Sequence, residues 1–486
     1  MPPRPTSLPL LLLLRCGLAP LLAALLLAGA PRPSAAQPAQ TLPPEVEAAL
    51  ARARLPREAL SVLVVDAQGK APPRLAFNAQ VPMNPASVMK LVTTYAALDQ
   101  LGPAWSWATP VYADGPVRDG VLHGNLYIRG QGDPKLVVER LWLLLRRVQG
   151  LGIRAIAGDI VLDRSAFEVA EQDPGDFDGE RLRPYNATPD ALLLNFKSLV
   201  LTFVPDRAAG TASIASDVRL AGVALPASVP LVAGECGDWR GTLRADFSDP
   251  ARIRMVGGFP ASCGERVWPL AYTEPASHAR RVVEGLWRDL GGQLAGKVRE
   301  GRPPPGLRPV FEMTSPTLAE VVRDINKFSN NVMAQQVFLT LSLAARGTGT
   351  LEGSRELVRG WWRNRFGDTE PAPLIDNGSG LSRNERITAQ ALGHMLQLAW
   401  ASPVMPELLA SLPISGMDGT LRRSTVRLPG SAHLKTGSLR DVVSLAGYVD
   451  AASGRRQVLV AFVNHPNANA ARPALDALVE WAARDQ

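Results

Sequence analysis

Apolar, strand-like runs stand at both ends of this chain with helical periodicity between them, so its two ends are expected to meet in one sheet. The first run is Leu60-Ser61-Val62-Leu63-Val64-Val65-Asp66, followed by a turn at Gln68-Gly69-Lys70 and a short strand at 75–77. Three more strands are expected at 433–438, 443–449 and 457–463, the last two joined by the turn Ala452-Ser453-Gly454, and a closing helix at 472–483. Between the ends, apolar residues recur at helical spacing over 84–98, 279–290, 317–325, 330–343 and 355–366. Pro85 near the start and Gly102-Pro103 at the end bound the first of these helices, which is expected to be buried. Residues 109–272 differ in character: short alternating stretches are separated by Gly, Pro and Asp turns, with one helix at 135–149. They read as a β-rich module inserted into the first domain.

With 486 residues, 46% of them hydrophobic and 20% charged, the chain can bury a large core and a second domain. Its 52 Lys and Arg against 45 Asp and Glu are interspersed rather than clustered. This excludes a nucleic-acid-binding arm and describes a solvated surface, compatible with mild attraction to an anionic wall polymer. The N-terminus is more specific. Arg4 precedes a leucine run, residues 17–29 are apolar, and Ser34-Ala35-Ala36 offers a small-residue cleavage site before Gln37. This layout is that of a secretory signal peptide over 1–36. The rival reading is an uncleaved anchor, but Arg15 interrupts the apolar run and leaves it short of the ~20 residues that span a bilayer.

Export frames the cysteines. Cys16 leaves with the signal, and Cys236 and Cys263 remain as an even pair in an oxidising compartment, each beside glycine-containing turns. A disulfide between them is expected, the alternative being two free buried thiols. Neither has a His or Cys neighbour at metal-ligand spacing, and no metal or other cofactor is expected.

Ser87 and Lys90 lie three apart on the first helix and share a face. A serine hydroxyl needs a base to become a nucleophile, and a lysine supplies one when burial lowers its pKa. The helix start also favours developing negative charge. Further along, Ser329-Asn330-Asn331 opens a helix; locally Ser329 reads as its N-cap, with Asn330 and Asn331 in the first turn. Lys435-Thr436-Gly437-Ser438 lies on a strand, where Gly437 lets a substrate backbone approach an edge. Each element alone is weak. Together and in this order, Ser-x-x-Lys, Ser-x-Asn and Lys-Thr-Gly form the signature of penicillin-recognising serine enzymes, and two of only seven lysines occupy the two required positions. The five histidines are scattered, with neither a His-Glu-x-x-His pair nor a Gly-x-Ser-x-Gly elbow.

On these motifs the chain resembles the class C low-molecular-mass penicillin-binding proteins, D-alanyl-D-alanine carboxypeptidases and endopeptidases. Ile375-Asp376-Asn377-Gly378-Ser379-Gly380-Leu381-Ser382-Arg383 is similar to the family's Asp-Gly-Ser-Gly-Leu-Ser stretch, with Asn377 extra. Leu412-Pro413-Ile414-Ser415-Gly416-Met417-Asp418-Gly419-Thr420-Leu421 is similar to its Leu-Pro-x-x-Gly-x-Asp-Gly-Thr-Leu segment. Asn330 stands where Asp is commoner, and the long gap from Ser87 to Ser329 matches the large insert of this class.

The resemblance implies an α/β (α+β) fold: a penicillin-binding, β-lactamase-like domain with a central antiparallel sheet flanked by helices, built from 37–108 and 273–486, with the β-rich module at 109–272. It implies a periplasmic hydrolase in which Ser87 attacks the substrate, Lys90 acts as base and Ser329 relays the proton. Asn331 would bind the substrate amide and steady Lys90, while Lys435, Thr436 and Ser438 receive the terminal carboxylate and Gly437 admits the substrate backbone. The Gly378–Ser382 loop reads as support near the cleft. Implied partners are peptidoglycan stem peptides, with β-lactams as covalent inhibitors and loose association with membrane or wall. Two rivals remain: a β-lactamase or esterase on the same scaffold, distinguished by rapid nitrocefin turnover, and a non-catalytic wall scaffold, distinguished by complementation with Ser87→Ala.

Overall fold

The computed structural model describes residues 41–170 and 172–484; the expected signal segment, 1–36, lies outside the described residues. The two ends of the chain do build one sheet. Its strand order is Ala432–Leu439, Val442–Asp450, Arg456–Asn464, Leu60–Asp66, Leu75–Phe77, antiparallel throughout. Leu60–Asp66 pairs along its whole length with the chain's last strand, from Leu60↔Val463 to Asp66↔Gln457. Every residue of Leu60–Asp66 is buried, because both faces of the sheet are covered, which explains the continuous apolar run. On one face lie the helices Lys90–Leu101, Leu318–Phe328, Asn331–Arg346 and Ala389–Trp400. On the other lie Pro44–Arg52 and the closing helix Arg472–Arg484.

A second core gathers the inserted strands. One five-stranded sheet runs Val298–Glu300, Ile160–Asp163, Leu126–Arg129, Ala108–Ala113, Phe311–Thr314, and another runs Phe259–Pro260, Ser228–Val232, Thr211–Ser216, Ser198–Asp206, Arg266–Ala271. The helices Val138–Gly150 and Pro275–Asp289 pack with them through Leu141, Leu144, Val282 and Trp287. Residues 275–314 therefore belong by packing to this second core, and we propose that the inserted body ends near residue 314 instead of 272. Cys236 and Cys263 are joined in a disulfide, with Cα atoms 4.7 Å apart; closing a loop of this length restricts the unfolded chain by about 3–4 kcal/mol.

Two local expectations are corrected. The nucleophile segment does not start as α-helix: Ala86–Met89 is a 3-10 turn that leads into Lys90–Leu101, because Ala86 is held at φ 47°, outside the right-handed helical region. Ser329 is not an N-cap. It terminates the helix Leu318–Phe328 in the left-handed region, at φ 57° and ψ 39°, and Asn330 caps the next helix by accepting from the Met333 N–H at 3.0 Å. Asn330 caps because its backbone is extended, at φ −71° and ψ 116°, as an N-cap requires, whereas Ser329 is held in the left-handed region.

Candidate active site

The serine turn is fastened from three directions. The Asn84 side chain accepts from the Ala86 N–H at 2.8 Å, Asn464 exchanges two hydrogen bonds with the Asn84 backbone, and Ser444 Oγ donates to the Pro85 carbonyl at 2.6 Å. A non-glycine residue in the left-handed region is unfavourable by about 1 kcal/mol, so Ala86 is held there by these bonds, and the result is that Ser87 projects into a cleft.

Behind it, Lys90 is completely buried. Its Nζ contacts Ser87 Oγ at 2.9 Å, Asn331 Oδ1 at 2.6 Å and the Ser379 carbonyl. The Asn331 amide has only one orientation available, because its Nδ2 donates to the Tyr185 carbonyl at 3.0 Å, which can only accept. Oδ1 must therefore face the lysine. Burial holds the Lys90 pKa well below the ordinary lysine value; the nearby Lys435 pushes it lower and Glu385 pulls it up. A neutral amine has two N–H groups and one lone pair. Asn331 Oδ1 and the Ser379 carbonyl are acceptors only, so they take both N–H groups and leave the lone pair for the Ser87 hydroxyl. The arrangement can withdraw the serine proton.

The edge strand Ala432–Leu439 forms the opposite wall. Lys435 is also fully buried, its pKa pushed down to about 7 by burial, and its Nζ donates to Ser329 Oγ at 2.9 Å and to the Thr436 carbonyl at 2.6 Å. Thr436 Oγ1 donates to Thr420 Oγ1 at 2.7 Å, which ties the strand to the 412–421 segment. That segment also covers the first part of the strand's outer edge, where the Leu434 N–H donates to the Pro413 carbonyl at 2.9 Å and Ile414 bridges His433. Among the described residues no strand covers the edge beyond Lys435, so it is open to an extended ligand. Gly437 is required where the strand meets the serine turn. A Cβ there would stand 2.2 Å from Ser444 Oγ, 2.7 Å from the Pro85 carbonyl oxygen and 3.0 Å from the Ser87 nitrogen.

Ser87, Ser329, Thr436, Gly437 and Ser438 line one cleft of about 530 Å³, with Lys90, Asn331 and Lys435 directly behind its reactive oxygens. Every residue expected at the site is thus in one place. The Gly378–Ser382 loop is closer than expected: it supplies an acceptor to Lys90 itself and, through the Gly378 carbonyl, another to Thr93 Oγ1 at 2.7 Å. Sequence reasoning missed Asn84, Asn464, Ser444 and Tyr185, which act through backbone geometry set by distant segments. It also missed Glu385, which stands among polar neighbours (Arg383, Asn384, Arg386) that give no sign of its burial. His433 lies on the same strand as Lys435 but outside this set of hydrogen bonds, with Nδ1 buried and unpartnered.

Comparison with known proteins places these features in a family. The model of the D-Ala-D-Ala carboxypeptidase 3 (S13) family matches residues 42–485. The chain is 25% identical over 405 residues to the D-alanyl-D-alanine carboxypeptidase DacB of Haemophilus influenzae, covering 80% of this chain and 82% of that protein. It is 29% identical over 390 residues to a D-alanyl-D-alanine carboxypeptidase of an Actinomadura strain, covering 76% of this chain and 71% of the relative. The crystal structure of penicillin binding protein 4 from Haemophilus influenzae superposes with a TM-score of 0.72 at 22% identity, over 90% of this chain and 99% of that one, a likeness of fold. The same protein has been crystallised in complex with a β-lactam.

Proposed function

Because the chain belongs to the D-Ala-D-Ala carboxypeptidase 3 (S13) family, we propose that it is a penicillin-sensitive, periplasmic serine hydrolase that cleaves D-alanyl-D-alanine and D-alanyl cross-links in peptidoglycan stem peptides. The observation that carries this reading is the pair of buried lysines, one on the Ser87 hydroxyl and the other on the Ser329 hydroxyl. Ser87 Oγ attacks the carbonyl of the penultimate D-alanine as Lys90 Nζ takes its proton. The backbone N–H groups of Ser87 and Ser438 receive the oxyanion, each contributing on the order of 3 kcal/mol. Ser329, oriented by Lys435, relays a proton to the leaving amine. Asn331 has a second Nδ2 proton for the substrate amide, since Tyr185 takes only one. Lys435, Thr436 and Ser438 receive the terminal carboxylate, and the open edge beyond Lys435 aligns the peptide beside Gly437. Water then releases the acyl group. A β-lactam enters by the same route and stays as an acyl adduct on Ser87. Export to the periplasm by the N-terminal signal, and loose association with membrane or wall, complete the proposal.

Purified protein is incubated with uncross-linked pentapeptide muropeptides and with cross-linked dimers, and the products are resolved by chromatography and mass. We expect free D-alanine from the first and monomers from the second, both abolished by Ser87→Ala. Rapid nitrocefin turnover with neither product would instead establish a β-lactamase on this scaffold.

A further inference from the structure

Glu385 is a buried carboxyl that the chemistry above leaves unused. It is 0% exposed. Its Oε1 accepts the N–H groups of Asp376 at 3.1 Å and Asn377 at 3.3 Å, while Oε2 is buried without a partner. These bonds close the base of the loop running from Asp376 to Glu385. Inside the loop, Asn377 Oδ1 accepts from the Ser379 N–H at 2.9 Å and from Ser379 Oγ at 2.7 Å, and Ser382 Oγ donates to Asp376 Oδ2 at 2.8 Å. The tip of this loop gives its Ser379 carbonyl to Lys90.

A purely structural role leaves the carboxyl unexplained. Two backbone N–H groups need one acceptor oxygen, which a neutral amide supplies without burying a titratable group. The surroundings of Lys90 suggest what the charge is for. Its three direct partners, Ser87 Oγ, Asn331 Oδ1 and the Ser379 carbonyl, are all neutral. Two charged groups act on it: Lys435, which opposes its protonation, and Glu385, which favours it. Glu385 in turn faces Lys90 and Asp376, and Asp376 is already paired with Arg355 at 2.7 Å. Burial pushes Glu385 up to about 7, while burial holds Lys90 well below the ordinary lysine value.

We infer that Glu385 is a positioning residue for Lys90, holding the loop that presents the Ser379 carbonyl and setting, through its own charge, the pH at which the lysine becomes a base. This rests on the assignment of Lys90 as base for Ser87. No bond is made or broken at Glu385; its carboxyl only shares the titration of the amine.

The test is the second-order rate constant for acylation by benzylpenicillin from pH 5 to 9 in wild type and Glu385→Gln. Glutamine keeps an acceptor for the Asp376 and Asn377 N–H groups and removes the charge. Without that charge Lys90 loses its proton more readily, so the acid limb moves to lower pH, by about one unit, whatever happens to the plateau. A limb that stays in place in Glu385→Gln overturns the inference, since a structural role alters amplitude or stability and leaves the limb where it was. If Glu385→Gln does not fold, Glu385→Asp decides: the shorter side chain sets its charge differently against Lys90, so the acid limb moves, and a limb that stays in place overturns the proposal. Absence of Ser87 acylation in wild type at every pH defeats the assignment of function, a result distinct from either of these.

Discussion

Replacing Lys90 with methionine lowers the rate of Ser87 acylation on the order of 10⁴-fold while the protein remains folded. The size of the loss follows from the geometry: no other base has a hydrogen bond to Ser87 Oγ among the described residues, and the hydroxyl has no other route for its proton. The stability outcome balances two opposing effects. Methionine removes an amine that is unfavourable to bury, since the folded chain resists protonating Lys90 and the unfolded chain does not. A lysine with its pKa depressed this way lowers stability at every pH below its ordinary value of 10.5. Against this, Asn331 Oδ1 and the Ser379 carbonyl lose their donor, each about 1 kcal/mol. The net change is within about 2 kcal/mol. Stopped-flow acylation with a reporter β-lactam and thermal denaturation on the same preparations check both halves; acylation within tenfold of wild type would remove Lys90 from its role.

The second large effect removes no chemical group. Gly380 has φ 79°, and a Cβ there would lie 2.0 Å from the Ala86 carbonyl oxygen, 2.4 Å from its carbon and 2.7 Å from the Ser87 nitrogen. All three are backbone atoms of the serine turn, which Asn84, Asn464 and Ser444 hold in place. Gly380→Ala must therefore push the loop away from the turn and draw the Ser379 carbonyl off Lys90. We expect a loss of about 3 kcal/mol of stability and a fall in acylation of roughly 10²-fold, measured by chemical denaturation and by the same kinetics. Gly360→Ala, in the helix Leu351–Phe366 with open space around its Cβ, is the control; it should leave acylation alone and stabilise by up to about 1 kcal/mol.

What could be read from the sequence divides along physical lines. The sheet was legible because burial on both faces writes itself as largely apolar runs at 60–66, 442–450 and 456–464. Ser87 and Lys90 were legible because a lysine amid apolar helix residues is conspicuous, and Lys435 because Lys-Thr-Gly follows the other two motifs in order. The pairing of Val298–Glu300 and Phe311–Thr314 was not, because these strands are only a few residues long and find partners in Ile160–Asp163 and Ala108–Ala113, far back along the chain. Ser329 was placed at the right site but in the wrong local structure: Ser, Asn and Asn are all good caps, and only the left-handed backbone at 329 decides which one caps. Glu385 illustrates the deepest limit, for nothing in its neighbours distinguishes a carboxyl at the surface from one enclosed behind the reactive amine.

Catalysis by this site turns on one oxygen becoming acylated. Wild-type protein is exposed to benzylpenicillin, digested, and its peptides sequenced by tandem mass spectrometry. The expected result is a single penicilloyl group on Ser87, absent from Ser87→Ala and strongly reduced in Lys90→Met. An adduct on Ser329, Ser379 or any other residue, or an unmodified Ser87 in protein that releases D-alanine, would contradict it.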